Sequence, residues 1–313
     1  MRSAGPDAVP PAYCFDCSGD GDLSARASVP YTLGDGKGNM MAVNLTVHMV
    51  GADTDRVFAA GDPYFRADAV RGIAERRLHP DLHKLYLMRG FHPGPVFCNT
   101  VTIRGVDGTD PAAVARATQE GRRRCREVAR FLVDDVPGFQ NARMWGLGPT
   151  VGVLETRRLQ AIYRITSDDI DRADKFKDGI VACDNPIDDV MRDSTEMTHE
   201  AAVGHGKYYT IPFRSLVPVE IENLMFAGRL VCADPVAFAS IRGMPQCMAM
   251  GQATGVAAAM ALKGAARVQD LDSVALTGNL ARHGVAGGSG IGHAVATAFE
   301  AEGAHVWIAD TSN

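Results

Sequence analysis

The chain has 313 residues, of which 46% are hydrophobic and 22% are charged, with a formal net charge of -5. This length predicts a substantial core and two domains, and the slightly acidic balance argues against a nucleic-acid partner. No run approaches the roughly 18 consecutive apolar residues of a membrane span, so no membrane partner is expected.

The first predicted element follows a leader, residues 1–12, whose Pro, Ala and Gly content predicts disorder. This leader lacks the continuous apolar segment of a signal peptide. Tyr13 to Gly21 is then a β-rich run, with Cys14 and Cys17 in a predicted buried strand. The turn Ser18-Gly19-Asp20 closes the run.

The middle of the chain predicts a half-buried sheet and one long helix. Met41 to Met49 and Val96 to Ile103 alternate apolar with polar residues, as strands with one buried face do. Asp110 is the predicted N-cap of a helix that has proline at its first position and continues to Val136. The basic cluster Arg122-Arg123-Arg124 falls in this helix, and we expect it to form a solvated face.

A short buried strand and a long helix of small residues follow in the last third of the chain. Leu224 to Ala227 is an apolar run that ends at Gly228, which is typical of a core strand in a parallel sheet. Gly243-Met244-Pro245 predicts a helix start, because a proline in the first turn loses no hydrogen bond. Alanines and glycines up to Leu262 would let a backbone or a flat ligand lie close to this helix. The unpaired N–H groups and the dipole at its start favour negative charge.

Residues 223–262 resemble the C-terminal flavin-binding segment of FAD-dependent oxidoreductases of the glutathione-reductase-like superfamily, in particular the heterodisulfide-reductase-A-like branch. The turn Ser18-Gly19-Asp20 resembles the turn that passes under the flavin nucleotide in that family. Further matches, in the family's order, are residues 22–34, 99–110, 155–158 and 209–218. The resemblance implies FAD as the cofactor, with the start of the long helix facing the flavin ring. The cofactor-binding residues that it implies are Ser18, Gly19, Asp20, Gly228, Arg229, Gly243, Met244, Pro245 and Gln246.

The opening unit of that family, in which a strand, a G-x-G-x-x-G turn and a helix hold the FAD pyrophosphate, is not found before Tyr13. The expected fold class is therefore α/β, with an incomplete three-layer Rossmann-like FAD-binding domain and an α+β substrate domain. We expect a partial FAD segment at 1–26, the substrate domain at 27–203, and a second FAD segment at 204–284. A sheet edge left open by missing strands predicts self-association.

The C-terminal stub at 285–313 has a different resemblance. Its glycine turn is followed by an amphipathic helix, an apolar strand and Asp310, and it resembles the opening βαβ unit of a short-chain dehydrogenase/reductase. That resemblance implies that Gly290 and Gly292 admit an NAD(P) pyrophosphate and that Asp310 receives the ribose hydroxyls. No Tyr-x-x-x-Lys follows, so dehydrogenase chemistry is not completed.

Two origins of this arrangement stay open. A gene boundary or a frameshift could have joined the tail of a flavoprotein to the start of a dehydrogenase. Alternatively, the stub could fill the vacant place in the FAD sheet, as in a circular permutation, although residues 276–283 make a poor strand.

Catalytic residues are only weakly specified by the sequence. Arg242, one turn before the flavin helix, is the catalytic candidate, and His205, Arg157 and Arg158 are further polar candidates. The seven cysteines lack ferredoxin-like spacing, so we expect no metal site and no iron–sulfur cluster. They are expected to be reduced thiols of a cytoplasmic protein, with Cys247 best placed for a redox role.

The sequence therefore predicts a partial FAD-dependent oxidoreductase that passes a hydride from an unknown small organic substrate to flavin. One alternative is a non-catalytic fragment, or a subunit that needs the missing FAD unit in trans. Another is a module that binds NAD(P) through the C-terminal glycine turn.

Overall fold

The computed structural model describes residues 13–59, 61–62, 64–188, 207–264 and 266–282. In chain order, the strands of these residues are β1 (Cys14–Asp16), β2 (Tyr31–Leu33), β3 (Val43–Val50), β4 (Leu87–Arg89), β5 (Val96–Ile103), β6 (Arg143–Leu147), β7 (Arg157–Leu159), β8 (Gly179–Cys183), β9 (Tyr209–Pro212) and β10 (Leu224–Phe226). The helices are α1 (Asp22–Arg26), α2 (Thr54–Val57), α3 (Arg66–Ala74), α4 (Pro111–Asp135), α5 (Ser167–Asp171), α6 (Pro235–Ile241), α7 (Met244–Gly264) and α8 (Ser273–Arg282). The predicted stub, with Gly290, Gly292 and Asp310, lies outside the described residues, as does His205.

The chain forms two compact units. Within the described residues, the first unit comprises 13–37, 157–188 and 207–282, and the second comprises 38–156. Each unit contains both helices and strands, which confirms the predicted α/β class. The predicted substrate domain, 27–203, contributes to both units, because β2 pairs antiparallel with β7 and places 27–37 and 157–188 together.

In the second unit, the described strands form one antiparallel sheet in the order β4-β5-β3-β6, and α4 packs on it. The predicted alternation is confirmed, since β3 is buried at every other residue from Val43 to Met49. Those side chains join the core with the buried residues of β5 and α4. Gly121 permits the close approach of α4, because a Cβ built there would lie 3.1 Å from a methyl group of Leu45.

The start of α4 is as predicted, but the exposure of its basic cluster differs in part from the prediction. The Asp110 carboxylate accepts a hydrogen bond from the backbone N–H of Ala112 at 2.9 Å, and proline occupies the first turn. Arg122 and Arg123 are exposed, but the prediction of a solvated face is wrong for Arg124, which is only 6% exposed. With about 3.6 residues per turn, position 124 shares the buried side of the helix with positions 121 and 128.

In the first unit, β1 and β10 form a parallel pair in which Cys14 lies opposite Leu224 and Asp16 opposite Phe226. All three residues of β10 are buried, as predicted for a core strand. The prediction that a buried strand includes Cys17 is wrong, because β1 ends at Asp16 and Cys17 is exposed.

The long helix of small residues begins at Met244 as predicted, and it packs against β8, β10 and α8. The segment that makes a poor strand in sequence is the helix α8, which ends at Arg282. A small cluster completes this unit, in which Leu159, Phe226 and Leu230 are fully buried.

Candidate functional site

A buried carboxylate organises the turn that follows β1. The Asp16 side chain accepts hydrogen bonds from the hydroxyl of Ser18 at 2.6 Å and from its backbone N–H at 3.1 Å. The same carboxylate accepts the N–H of Ser24, in α1, at 2.7 Å. Burial alone would raise the pKa of Asp16, but these donors outweigh it and hold the pKa below its ordinary value. Asp16 therefore fixes both ends of the turn that contains residues 18–20.

The turn after β10 reaches the turn after β1. Gly228 adopts a left-handed conformation with a φ of +80°, and the next residue, Arg229, extends its guanidinium to Asp20. The distances from Asp20 Oδ1 are 3.3 Å to Nη2 and 3.4 Å to Nη1. Gly19, with a φ of +83°, lies under the same guanidinium, because a Cβ built there would be 2.6 Å from Nη2.

The first turn of α7 lies beside the same edge. A Cβ built on Gly228 would be 3.7 Å from both the Cβ and the Sγ of Cys247, so the helix start approaches the turn after β10 closely. The carboxyl ends of two parallel strands and the N-terminus of a long helix thus meet, which is where ligands bind in open α/β sheets. The structure brings together the predicted residues Ser18, Gly19, Asp20, Gly228 and Arg229 with the start of α7.

The predicted residues at the start of α7 face in different directions. Met244 is 81% exposed. The side chain of Gln246 is buried, and its amide nitrogen lies 3.3 Å from Cys183 Sγ. Gln246 therefore contacts the protein interior with its side chain, and only its backbone can face a ligand at the helix start.

Arg242 is held by a neighbouring loop. It caps the C-terminus of α6, and its Nη2 donates to the Asp188 carbonyl at 2.9 Å and to the Asp188 carboxylate at 3.2 Å. These contacts give Arg242 a structural function independent of any catalytic one.

Both arginines of β7, Arg157 and Arg158, form hydrogen bonds that stabilise the first unit. Arg157 donates to the backbone carbonyl of Asp20 at 2.6 Å and to the Asp22 carboxylate at 2.9 Å. Arg158 is 2% exposed, and it donates to the carbonyl oxygens of Gly34 and Ala233. Arg157 thereby stabilises the predicted cofactor turn through its hydrogen bond to Asp20. Its position in the sequence does not indicate this contact.

All seven cysteines are free thiols. Burial raises the pKa of Cys247 even though Arg229 and Arg242 lie close enough to oppose the shift. The thiol form is favoured there, which weakens the case for Cys247 as a nucleophile. Among the described residues, no group of three or more His, Cys, Asp and Glu side chains could hold a metal ion.

The geometry of this edge fits a flat anionic cofactor. The orphan N–H groups of the first turn of α7 and the Arg229 guanidinium supply positive charge. Further along α7, a Cβ built on Gly251 or Gly255 would meet no described residue within 4 Å, so this side of the helix is open with respect to the described part of the chain. FAD carries both the negative charge and the flat ring that such a surface can accept.

Asp16 is a residue at this site that the sequence predictions missed. An aspartate two residues before a serine is a recognised turn signal, and it was available in the sequence. The buried position of Arg157 beside Asp20 had no comparable local signal.

Comparison with known families supports the same cofactor. The sequence model of the FAD dependent oxidoreductase family matches residues 1–280. No curated protein and no solved structure matches the chain. Within the part of the chain that the structure describes, no helix is both long and apolar enough to cross a membrane. Because the family match extends over most of the 313 residues, the chain belongs to the FAD dependent oxidoreductase family.

Proposed function

We propose that the first unit binds FAD at the carboxyl edge of the β1–β10 pair and that the protein takes a hydride from a small organic substrate. The observation that carries this proposal is the contact of the two turns through Arg229 and Asp20, with the start of α7 packed on Gly228. Family membership supports FAD as the cofactor, and these contacts support its proposed position at this edge.

The residues of this edge have separate tasks in the proposal. Ser18, Gly19 and Asp20 would form the turn on which the flavin nucleotide lies. Gly243, Met244 and Gln246 would present backbone N–H groups at the start of α7, where Pro245 has none to donate. A bound flavin accepts a hydride and passes it to an acceptor. The helix dipole and Arg229 stabilise the negative charge that accompanies reduction, since both place positive charge at this edge.

Arg229 is suited to this task because its ion pair is loose. Its contacts with Asp20, at 3.3 and 3.4 Å, are longer than the roughly 2.7–2.9 Å of a strong charged hydrogen bond. A ligand anion can therefore draw the guanidinium away from Asp20 at low cost.

The finer placement of the chain is also part of the proposal. We assign it to the heterodisulfide-reductase-A-like branch because its matching segments occur in that branch's order. The G-x-G-x-x-G sequence does not occur in the 313 residues, so the proposal requires a glycine-rich unit outside them to hold the pyrophosphate. The second unit would then carry the substrate, and the free thiols support a cytoplasmic location.

Flavin binding by the purified chain tests the proposal. FAD fluorescence should be quenched on titration, either by the chain alone or after addition of a separate strand, G-x-G-x-x-G and helix unit. Arg229→Ala should weaken binding by about tenfold or more. Arg267→Ala, which removes exposed ion pairs with Glu222 and Asp270 in the same unit, is the matched control.

Other outcomes would contradict the proposal. A protein that binds no flavin with or without the added unit would be a non-catalytic fragment. Tight binding of NAD(P)H without flavin would instead favour the glycine turn that contains Gly290 and Gly292.

Arg242 needs its own experiment, because its ion pair with Asp188 offers a purely structural explanation. In a flavin-loaded protein, Arg242→Ala should slow flavin reduction, whereas Asp188→Asn, which removes only the charge of the partner, should not. If both variants behave like the wild type in flavin binding, reduction and substrate affinity, Arg242 has no catalytic function.

The last part of the proposal concerns association. Within the described residues β1 and β10 form a sheet of only two strands, and Phe15 of β1 is 40% exposed. An open strand edge of this kind can pair with another chain. Sedimentation of the purified protein should show dimers or larger species whose fraction falls when Phe15 is changed to Lys.

A further inference from the structure

A groove of about 340 Å³ lies on the second unit, between α4 and the edge strand β6. Its lining consists of Met49, Arg126, Ala129, Arg130, Val133, Asp134 and Met144. The volume is within the range of small-molecule sites, which is roughly 300–1,000 Å³. No step of the proposed flavin chemistry uses this groove.

The floor of the groove is apolar and adaptable. Met49 is fully buried and Ala129 is 7% exposed, whereas Met144 is 39% exposed at the rim. Methionine side chains are flexible and polarisable, so they fit apolar ligands of varied shape. The exposed Met144 and the half-buried Val133 leave a hydrophobic surface that an apolar chain would cover.

Two arginines on the rim have no polar partner among the residues that the structure describes. Arg126 and Arg130 are exposed and one turn apart on α4, and neither forms a hydrogen bond or an ion pair with another described residue. Asp134, the acidic residue of the lining, is occupied by Arg77 at 2.7 Å. Elsewhere on α4, Arg123 is paired with Glu120 and Glu127. The rim of the groove therefore carries uncompensated positive charge.

Repulsion between Arg126 and Arg130 destabilises α4, and a bound anion would relieve it. Like charges at i and i+4 destabilise a helix by a few tenths of a kcal/mol. A carboxylate placed between the two guanidinium groups would replace repulsion with charge-assisted hydrogen bonds, which arginine forms in a bidentate geometry. The same placement lays an attached apolar chain along Val133 and Met144.

We propose that this groove is a binding site for an aliphatic carboxylate, with the carboxylate between Arg126 and Arg130 and the chain on Ala129, Val133 and Met144. The inference goes beyond the proposed flavin function and does not depend on it. Octanoate is the probe that matches this chemistry, because it combines one carboxylate with a short saturated chain.

Calorimetric titration of the full chain with octanoate tests the proposal. Octanoate should bind with a saturable isotherm, and 1-octanol, which has the same chain without the charge, should bind about tenfold more weakly or not at all. The double variant Arg126→Gln/Arg130→Gln should lose about tenfold in affinity. Arg116→Gln, at an exposed position in the first half of α4, should bind octanoate like the wild type.

The floor requires a variant of its own. Met144→Glu places a carboxylate at the exposed end of the groove, and it should abolish octanoate binding while leaving the thermal unfolding temperature unchanged. Trp145 follows Met144 and is 73% exposed, so its fluorescence in a Trp307→Phe background provides a second readout.

Three results would overturn the proposal. The first is equal binding of octanoate and 1-octanol. The second is equal loss of affinity in the Arg116→Gln control. The third is that the chain dimerises, does not bind octanoate, and becomes monomeric in the Met144→Glu variant. In that case a second copy of the chain would cover the groove.

Discussion

The two units of this protein differ in the sequence separation of the segments that form their cores. Within the described residues, the second unit is continuous in sequence from residue 38 to 156. Its helix α4 covers a sheet whose central strands, β3 and β5, lie about 50 residues apart. The first unit is assembled from three separate segments, and β1 pairs with β10 across some 200 residues. The proposed cofactor site thus belongs to the unit that depends most on distant parts of the chain.

Two buried aspartates, Asp81 in the second unit and Asp16 in the first, are stabilised in different ways. In the second unit, Asp81 and Arg124 are both nearly inaccessible and lie 3.0 Å apart, with Arg104 at 2.6 Å on the other carboxylate oxygen. In the first unit, the buried Asp16 is satisfied by N–H and hydroxyl donors of its own turn. A charge network holds separate elements together, whereas a single carboxylate shapes one loop.

Removal of Phe226 should have the largest effect and should be confined to the first unit. Phe226 is fully buried on β10, and Phe→Ala changes in cores cost about 3–5 kcal/mol. Hydrogen exchange should show lost protection for the amides of β1 and β10 and little change in β3 and β5. Val219→Ala, at a 65% exposed position, is the control. Equal loss of exchange protection in both units would contradict the expectation that the effect is confined to the first unit.

Arg124→Ala should have the corresponding effect on the second unit. It leaves Asp81 buried with Arg104 as its remaining ion-pair partner, and we expect a loss of about 3 kcal/mol in the free energy of unfolding. Exchange protection of β3 and β5 should report the loss. Arg122→Ala, an exposed neighbour, should stay within about 0.5 kcal/mol of the wild type. A similar loss in the control would show that the buried network is not the cause.

Asp16→Asn tests the buried carboxylate of the turn after β1 and should cost about 1–3 kcal/mol at neutral pH. Hydrogen bonds from Ser18 and Ser24 hold the pKa of Asp16 below its usual range, so its charge stabilises the folded state above the unfolded pKa of about 3.9. That stabilisation is lost as the pH falls through the lower folded pKa. Denaturant titrations of wild type and variant should therefore converge in acid, and Asp171→Asn should show no such convergence.

Glu120→Gln should have the smallest effect and belongs to the second unit. Hydrogen bonds from Arg123 and Arg124 lower the pKa of Glu120 to about 2. The ionised group should contribute about 0.5–1 kcal/mol at pH 7, fully present above the unfolded pKa of about 4.3 and lost as the pH approaches 2. Glu75→Gln, on an exposed residue, is the control. A difference that persists at pH 2 would contradict this assignment.

Local patterns in the sequence correctly predict many of the secondary-structure elements of the second unit. The alternation of β3 and β5, and the Asp110 cap of α4, involve residues that are close in the chain, so short-range patterns predict them correctly. The error at Arg124 shows the limit of that approach. Three consecutive arginines suggest a solvated face, but the helical turn carries the third one inward to meet Asp81.

The first unit was predictable only where its segments are long or strongly patterned. The apolar run of β10 and the small-residue helix α7 were recognised correctly. The pairing of β2 with β7 was not, because two strands of three residues separated by more than 100 residues leave no periodic signal. The role of Arg157 beneath Asp20 was missed for the same reason, since it depends on that pairing.

The pairing of β1 with β10 has a consequence for synthesis on the ribosome. At about 5–20 residues per second, β1 waits roughly 10–40 s for its neighbour to emerge. Residues 38–156 are complete well before then and can fold first, while Phe15 on β1 stays without its strand partner. Chaperones that shield nascent apolar segments should therefore contact the N-terminal part of this chain longer than any other.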